Sequence, residues 1–180
     1  MISNKSSLVE LVKKHALQFG DFTLASGQKS TYYIDCRNVT LLAAGAAQIG
    51  QAILELMKDE PFDAVGGLTM GADPILAAVL TVAGQKNLDL RGFIVRKEAK
   101  GHGTGKLIEG PIRMGDRVVI VEDVATTGGS IFKAIEAVEK AGCKVVRVVT
   151  VLDRLAGAAE TFAQRGYPFT SLLTIRDLGL

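Results

Sequence analysis

The spacing of apolar residues along the chain alternates between helical intervals and short unbroken runs. From about Lys5 to Phe19, Leu8, Val9, Leu11, Val12 and Ala16 recur at helical intervals between charges, which predicts an amphipathic helix. The stretch "FTLASGQKSTYYID" reads as extended and hairpin-like, and an alanine-rich segment from about Leu42 to Lys58 reads as a second helix. A strand-and-helix rhythm follows. "FDAVGGL" leads through "TMGADP" into the helical "ILAAVLTVAGQ"; "LRGFIVR" is another apolar run; "DRVVIVED" passes through "VATTGG" into "SIFKAIEAVEKAG". "KVVRVVTVL", the helical "LAGAAETFAQRG" and the strand-like "PFTSLLTI" complete it, with glycine stopping each of the last two helices. Unbroken Val and Ile runs mean strands buried on both faces, as in a parallel sheet covered by helices. The expected class is α/β, doubly wound.

With 180 residues, 48% of them hydrophobic, the chain fits one compact domain able to bury a core without disulfides. Its 21 Lys and Arg against 19 Asp and Glu leave +2, which argues against a broad grip on nucleic acid or anionic membrane and makes any anion site local. The first twenty residues lack both the apolar core of a signal peptide and the length of a membrane span, so a cytoplasmic protein is expected. Cys36 and Cys143 show no paired spacing and read as reduced, packed thiols. His15 reads as a solvated residue of the first helix.

In a doubly wound sheet, ligands sit beyond the carboxyl ends of strands. That selects "TMGADP", "EDVATTGGS" and "DRLAGA" as candidate loops, together with the glycine-rich "RKEAKGHGTGK". Small residues running into a helix offer backbone N–H groups to a phosphate, and Thr126, Thr127 and Ser130 add hydroxyls. A Walker loop is excluded because no Lys follows Gly129, and "GHGTGKL" also departs from that pattern. Gly101, Gly103 and Gly105 do not make a dinucleotide fingerprint. Glu122 and Asp123 repel phosphate and accept hydrogen bonds, so they call for donors such as ribose hydroxyls or for a hydrated magnesium ion. The plainer alternative is helix capping by acids at a strand end. Two adjacent acids before Thr-Thr-Gly-Gly favour a ribose phosphate site.

"VVIVEDVATTGGS", Val118 to Ser130, resembles the phosphoribosyl-diphosphate (PRPP) motif of type I phosphoribosyltransferases. The resemblance implies that fold: a central parallel sheet flanked by helices, with a small hood from the N-terminal segment and the C-terminal end. It makes residues 1–180 a single domain, 1–40 mostly hood and base-side segment and 60–175 the PRPP-binding core. It puts Glu122 and Asp123 on the ribose hydroxyls, directly or through magnesium, and Val124, Ala125, Thr126, Thr127, Gly128, Gly129 and Ser130 around the 5-phosphate. Asp123 also counts among the implied catalytic residues. The Mg2+ cofactor is expected on the substrate's diphosphate and ribose hydroxyls, with no direct protein ligand.

"RKEAKGHG" further resembles the lid of the orotate phosphoribosyltransferase family, as "FGDFTLASGQKSTYYID" and "VLDRLAGAAE" resemble its base-side segments. This implies transfer of the phosphoribosyl group from PRPP to N1 of orotate, giving orotidine 5-phosphate and diphosphate in pyrimidine synthesis. Arg96, Lys97, Lys100 and His102 would bind PRPP. Lys100 is the expected main catalytic side chain, and His102 supplies either a proton or a hydrogen bond to the leaving diphosphate. Thr126 and Arg154 would hold orotate, the guanidinium taking its carboxylate; Tyr32 and Tyr33 either wall the base or simply pack. A homodimer with shared active sites is implied, each lid covering the partner's site.

The chain departs from the family pattern twice. Ala25 stands where many relatives carry Lys, with Lys29 the nearest cation, and Thr69-Met70 replaces their Tyr-Lys, leaving backbone amides and Thr69 to bind diphosphate. A phosphoribosyltransferase for another base should lack the lid sequence. A PRPP-sensing regulatory protein should carry a helix-turn-helix or a basic stripe, which neither the length nor the charge provides.

Overall fold

The computed structural model describes residues 5–23, 29–98 and 106–180. The chain opens with α1 (Lys5–His15), then strands β1 (Leu17–Thr23) and β2 (Lys29–Ile34), which pair antiparallel as a separate two-stranded sheet. Helices α2 (Arg37–Thr40) and α3 (Ala43–Leu56) follow. Next come β3 (Ala64–Leu68), α4 (Asp73–Gln85), β4 (Arg91–Val95), β5 (Ile108–Glu109), β6 (Arg117–Ala125), α5 (Gly129–Lys140), β7 (Lys144–Asp153), α6 (Ala158–Gln164) and β8 (Phe169–Thr174). A short 3-10 turn, Ile175–Leu178, ends the chain and is tied to α1 by the Lys5–Asp177 ion pair at 2.9 Å.

The main sheet has the order β5-β4-β3-β6-β7-β8, parallel throughout except for the edge pairing of β5 with β4. Successive residues of β6 explain its unbroken apolar run. Val119 and Val121 pack toward Ile49, Ile53, Ile75 and Val79 on one face, while Val118 and Ile120 pack toward Ile131, Ile135, Val138 and Phe162 on the other. Burying each such side chain contributes roughly 1.5–3 kcal/mol, so both faces hold α-helices firmly. The α/β architecture expected from the pattern is the one observed.

Two boundaries differ from the sequence reading. The first helix ends at His15 rather than Phe19, because Leu17 and Phe19 pair with Ile34 and Tyr32 in the hairpin. Strand pairing overrides the helical spacing there, and Phe19 is left largely exposed. His15, expected to be solvated, is half-buried. The second helix is shorter than expected and preceded by α2, whose single turn is too short to show a period.

Close backbone approach sets the middle of the sheet. A Cβ on Gly67 of β3 would run into the carbonyl oxygen of Val121 and lie 2.8 Å from Ala72 Cβ. Only glycine lets the first turn of α4 come down against β6 here. Among the described residues no helix is long and apolar enough to cross a membrane.

Candidate active site

In sequence order the parallel strands lie 2-1-3-4-5, with the direction of progression reversing between β3 and β6. The crevice beyond those strand ends is where such sheets take ligands. A cleft of about 300 Å³ lies there, bounded by the Thr69–Gly71 turn, by Glu122 and Asp123, and by Tyr33, Asp35 and Arg37 from the N-terminal segment. A more apolar cavity of about 470 Å³, lined by Met57, Pro61, Phe62 and Leu88, sits at the opposite end of the strands, away from these groups.

Glu122 is buried and Asp123 half-buried at the end of β6. The Asp123 N–H donates to Glu122 Oε1 at 3.2 Å, and the Val124 N–H donates to Asp123 Oδ1 at 2.8 Å. Among the described residues neither acid has an ion-pair partner. Burial, and then the neighbouring Asp123 carboxylate, push the Glu122 carboxyl up to about 8. Gly71 meets the pair from the β3 side: a Cβ there would collide with Glu122 Oε1 and lie 2.8 Å from Asp123 Oδ1. Both carboxylates therefore face one small space that only a glycine leaves open. Hard oxygen ligands lacking a counter-charge suit a magnesium ion that keeps much of its water. Among the described residues no group of three or more His, Cys, Asp and Glu could cage a metal unaided.

The loop after Asp123 turns into α5 through Gly128, which caps the helix with φ +87°. A side chain there would be strained and would lie 2.9 Å from Phe162 Cζ, so glycine is required on both counts. Thr126, Thr127 and Gly129 are exposed at the start of the helix, where backbone N–H groups lack intrahelical acceptors. Ser130 lies 3.5 Å from Glu122 Oε2, at the limit of a hydrogen bond, so its hydroxyl is turned toward the acids.

On the other flank, the Arg154 N–H donates to the Ala125 carbonyl at 2.9 Å, and Ala125 is paired with Asp153. Thr126 and Arg154 thus leave neighbouring strand ends together. Asp153 accepts the Leu155 N–H at 2.8 Å, and among the described residues Arg154 forms no ion pair with it or with Glu160. The Arg154 guanidinium instead lies over the Tyr32 ring, 5.5 Å from its centroid. That joins a residue of the β1–β2 hairpin to the end of β7.

Lys97 lines the cleft, whereas the Arg96 guanidinium is directed to Glu109 of β5, with Nε 3.0 Å from Oε1. Lys100 and His102 lie outside the described residues, as does Ala25. The Thr69 hydroxyl, expected with the backbone amides beside diphosphate, donates to Asp73 Oδ2 at 2.7 Å. Asp35 and Arg37 were not picked out from the sequence; two charged residues directly after a strand-like run were the available signal.

A reversed-order parallel sheet with an acid pair and a glycine-capped helix at its switch point places a candidate ligand site beyond the carboxyl ends of β3 and β6. Residues 38–166 match the family model of the phosphoribosyl transferase domain. The chain is 52% identical to an orotate phosphoribosyltransferase of Rhodopirellula baltica over 179 residues, covering 96% of this chain and 93% of that one. It is also similar to the Mycobacterium tuberculosis orotate phosphoribosyltransferase in complex with Fe(III) dicitrate, with 43% identity, a TM-score of 0.88 and coverage of 98% and 99% of the two chains. The same M. tuberculosis enzyme in complex with PRPP gives 40% identity, a TM-score of 0.84 and the same coverage. The chain belongs to the orotate phosphoribosyltransferase family, within the phosphoribosyltransferases.

Proposed function

We propose that this protein transfers the phosphoribosyl group of PRPP to N1 of orotate, in a magnesium-dependent reaction that yields orotidine 5-phosphate and diphosphate. The observation that carries this reading is the convergence, on adjoining strand ends, of the Glu122–Asp123 pair, the α5 amides and Arg154 over Tyr32. Near-complete coverage by orotate phosphoribosyltransferases, one of them holding PRPP, supports it.

In this reading the amides from Ala125 to Ser130 hold the 5-phosphate at the positive end of α5. Glu122 and Asp123 accept hydrogen bonds from the ribose hydroxyls and would also hold magnesium. Magnesium, when bound, neutralises part of the charge on diphosphate. Arg154 takes the orotate carboxylate through its guanidinium fork, with Thr126 completing the base side. As the bond from the anomeric carbon to diphosphate breaks, its electron pair leaves with diphosphate, and N1 of orotate bonds to that carbon while its proton passes to the departing diphosphate or to water. Positive charge grows on the ribose beside the carboxylates, while negative charge grows on diphosphate toward Lys97, Lys100 and His102.

Residues 1–40 serve mostly as hood and base-side segment, and 60–175 as the PRPP-binding core. The protein acts as a homodimer with shared active sites, in which the lid covers the partner's site and Lys97 and Lys100 serve different subunits. Free, buried Cys36 and Cys143 suit a reducing cytoplasm.

The test is PRPP turnover with a panel of nucleobases, followed by diphosphate release with and without magnesium. Release with orotate alone, abolished by chelation, is expected. Equal release with a purine base would overturn the substrate, and undiminished release in chelator would overturn the metal dependence.

A further inference from the structure

The β3–α4 turn, residues 69–72, carries no cationic side chain for a diphosphate. Its Thr69 hydroxyl donates to Asp73, and Met70 beside it is an apolar side chain, 61% exposed. A highly charged leaving group placed there would need a cation from elsewhere in the fold. Arg37 borders this turn from two sides. It lines the cleft with Thr69, Met70 and Gly71, and it shares a second hollow of about 480 Å³ with Met70, Asp73 and Pro74.

The guanidinium is fixed rather than free. Arg37 Nε donates to Asp35 Oδ1 at 2.8 Å and Nη2 donates to Asp35 Oδ2 at 2.9 Å, while the Arg37 backbone N–H also reaches Oδ1 at 3.1 Å. Two of the five guanidinium N–H groups are thereby used, and three remain. The Arg37 side chain is 43% exposed, so these are accessible to a ligand. Asp35 holds the plane in place, which lowers the entropy lost when a phosphate is bound. The Asp123 carboxylate across the cleft further favours the charged guanidinium.

Resting on the function proposed above, we infer that Arg37, positioned by Asp35, is a diphosphate-binding residue that supplies from the N-terminal segment the cation missing from the β3–α4 turn. Its partner is the diphosphate moiety, whether on PRPP or as free product. The 5-phosphate, bound at the far side of the acids by the α5 amides, is not its partner.

The experiment is calorimetric titration of wild type, Arg37→Gln, Arg37→Lys and Asp35→Asn with magnesium diphosphate and, separately, with ribose 5-phosphate. Thermal melts serve as the folding control, and KM is measured for PRPP and orotate. Loss of a bidentate charge-assisted contact should weaken diphosphate about 10- to 100-fold in Arg37→Gln. Ribose 5-phosphate affinity and KM for orotate should stay within about twofold on the same grounds. Arg37→Lys should recover part of the loss, and Asp35→Asn should show a smaller one. Unchanged diphosphate affinity in Arg37→Gln, or an equal loss for both ligands in the folded Arg37→Lys and Asp35→Asn variants, overturns the proposal. Wild type that turns over PRPP with orotate while Arg37→Gln binds diphosphate normally would sink this inference alone. Wild type that binds neither PRPP nor diphosphate would sink the functional reading with it.

Discussion

The backbone N–H of Arg154 donates to the carbonyl of Ala125 at 2.9 Å, so the guanidinium-bearing turn after β7 is stitched to the start of the loop that follows Asp123. The two halves of the site cannot drift apart without breaking a main-chain hydrogen bond. Tyr32, lying under the Arg154 guanidinium, extends that link to the β1–β2 hairpin.

Arg154→Ala should therefore raise KM for orotate by about 10- to 100-fold, the scale of losing hydrogen bonds to a charged group. PRPP affinity and melting temperature should change little, since the backbone bond to Ala125 survives the substitution. Steady-state kinetics with each substrate varied in turn checks this, and an equal rise in both KM values would contradict the assignment.

Gly71→Ala tests the space between the acids. The added Cβ would overlap Glu122 Oε1 and crowd Asp123 Oδ1 at 2.8 Å, displacing both from the ligand. A shift of this kind at reacting groups costs roughly 10²-fold in rate. Activity should fall by that order while the far-ultraviolet circular dichroism stays native; full activity would mean that the carboxylates do not need this space.

The Glu122 carboxyl sets a pH dependence with a definite sign. Its pKa is raised from the ordinary 4.5 to about 8 in the fold, so the proton is bound more tightly by folded than by unfolded chain. The stability this contributes is complete below the unfolded value and is lost as pH rises through about 8. Melting temperature of ligand-free protein should fall between roughly pH 5 and pH 8 and level off above that, and the fall should be smaller in Glu122→Gln. Affinity for magnesium-PRPP should move the other way, strengthening as the proton leaves. Parallel melting curves for the two proteins would refute the role of this carboxyl.

Lys100→Ala, in the "RKEAKGHG" segment, should lower the chemical rate on the order of 10²-fold, as expected for loss of a charge donor to the leaving group. Single-turnover kinetics isolates that step. Mixing this variant with an Asp123→Asn variant should restore part of the activity if sites are shared between subunits, and no recovery would argue against sharing.

The buried strands were legible because continuous runs such as "VVIVED" have one simple reading in an α/β chain, and the turn into α5 was legible because acids, small residues and glycine sit together within it. What escaped depends on distant contacts. Leu17 and Phe19 carry helical spacing, but their pairing with β2 decides their conformation. The two residues of β5 are too few to carry a pattern. Nothing local tells that Gly71 will stand against Glu122, or that the Thr69 hydroxyl will be claimed by Asp73. Arg37 carries no motif; its place beside Met70 arises only when the segment after β2 folds over the ends of β3 and β6.

The reversal of strand order between β3 and β6 has an evolutionary consequence. In the proposed function the groups that hold the ribose and its 5-phosphate leave the sheet at β6, whereas the groups beside a base, Thr126 apart, come from the β1–β2 hairpin and the turn after β7. The two sets occupy separate stretches of chain on a shared, rigid floor. Acceptor preference can therefore be rewritten by changes in the hairpin and the β7 turn, leaving the sugar-handling half intact: a division of labour that lets one scaffold diversify by swapping its outer parts.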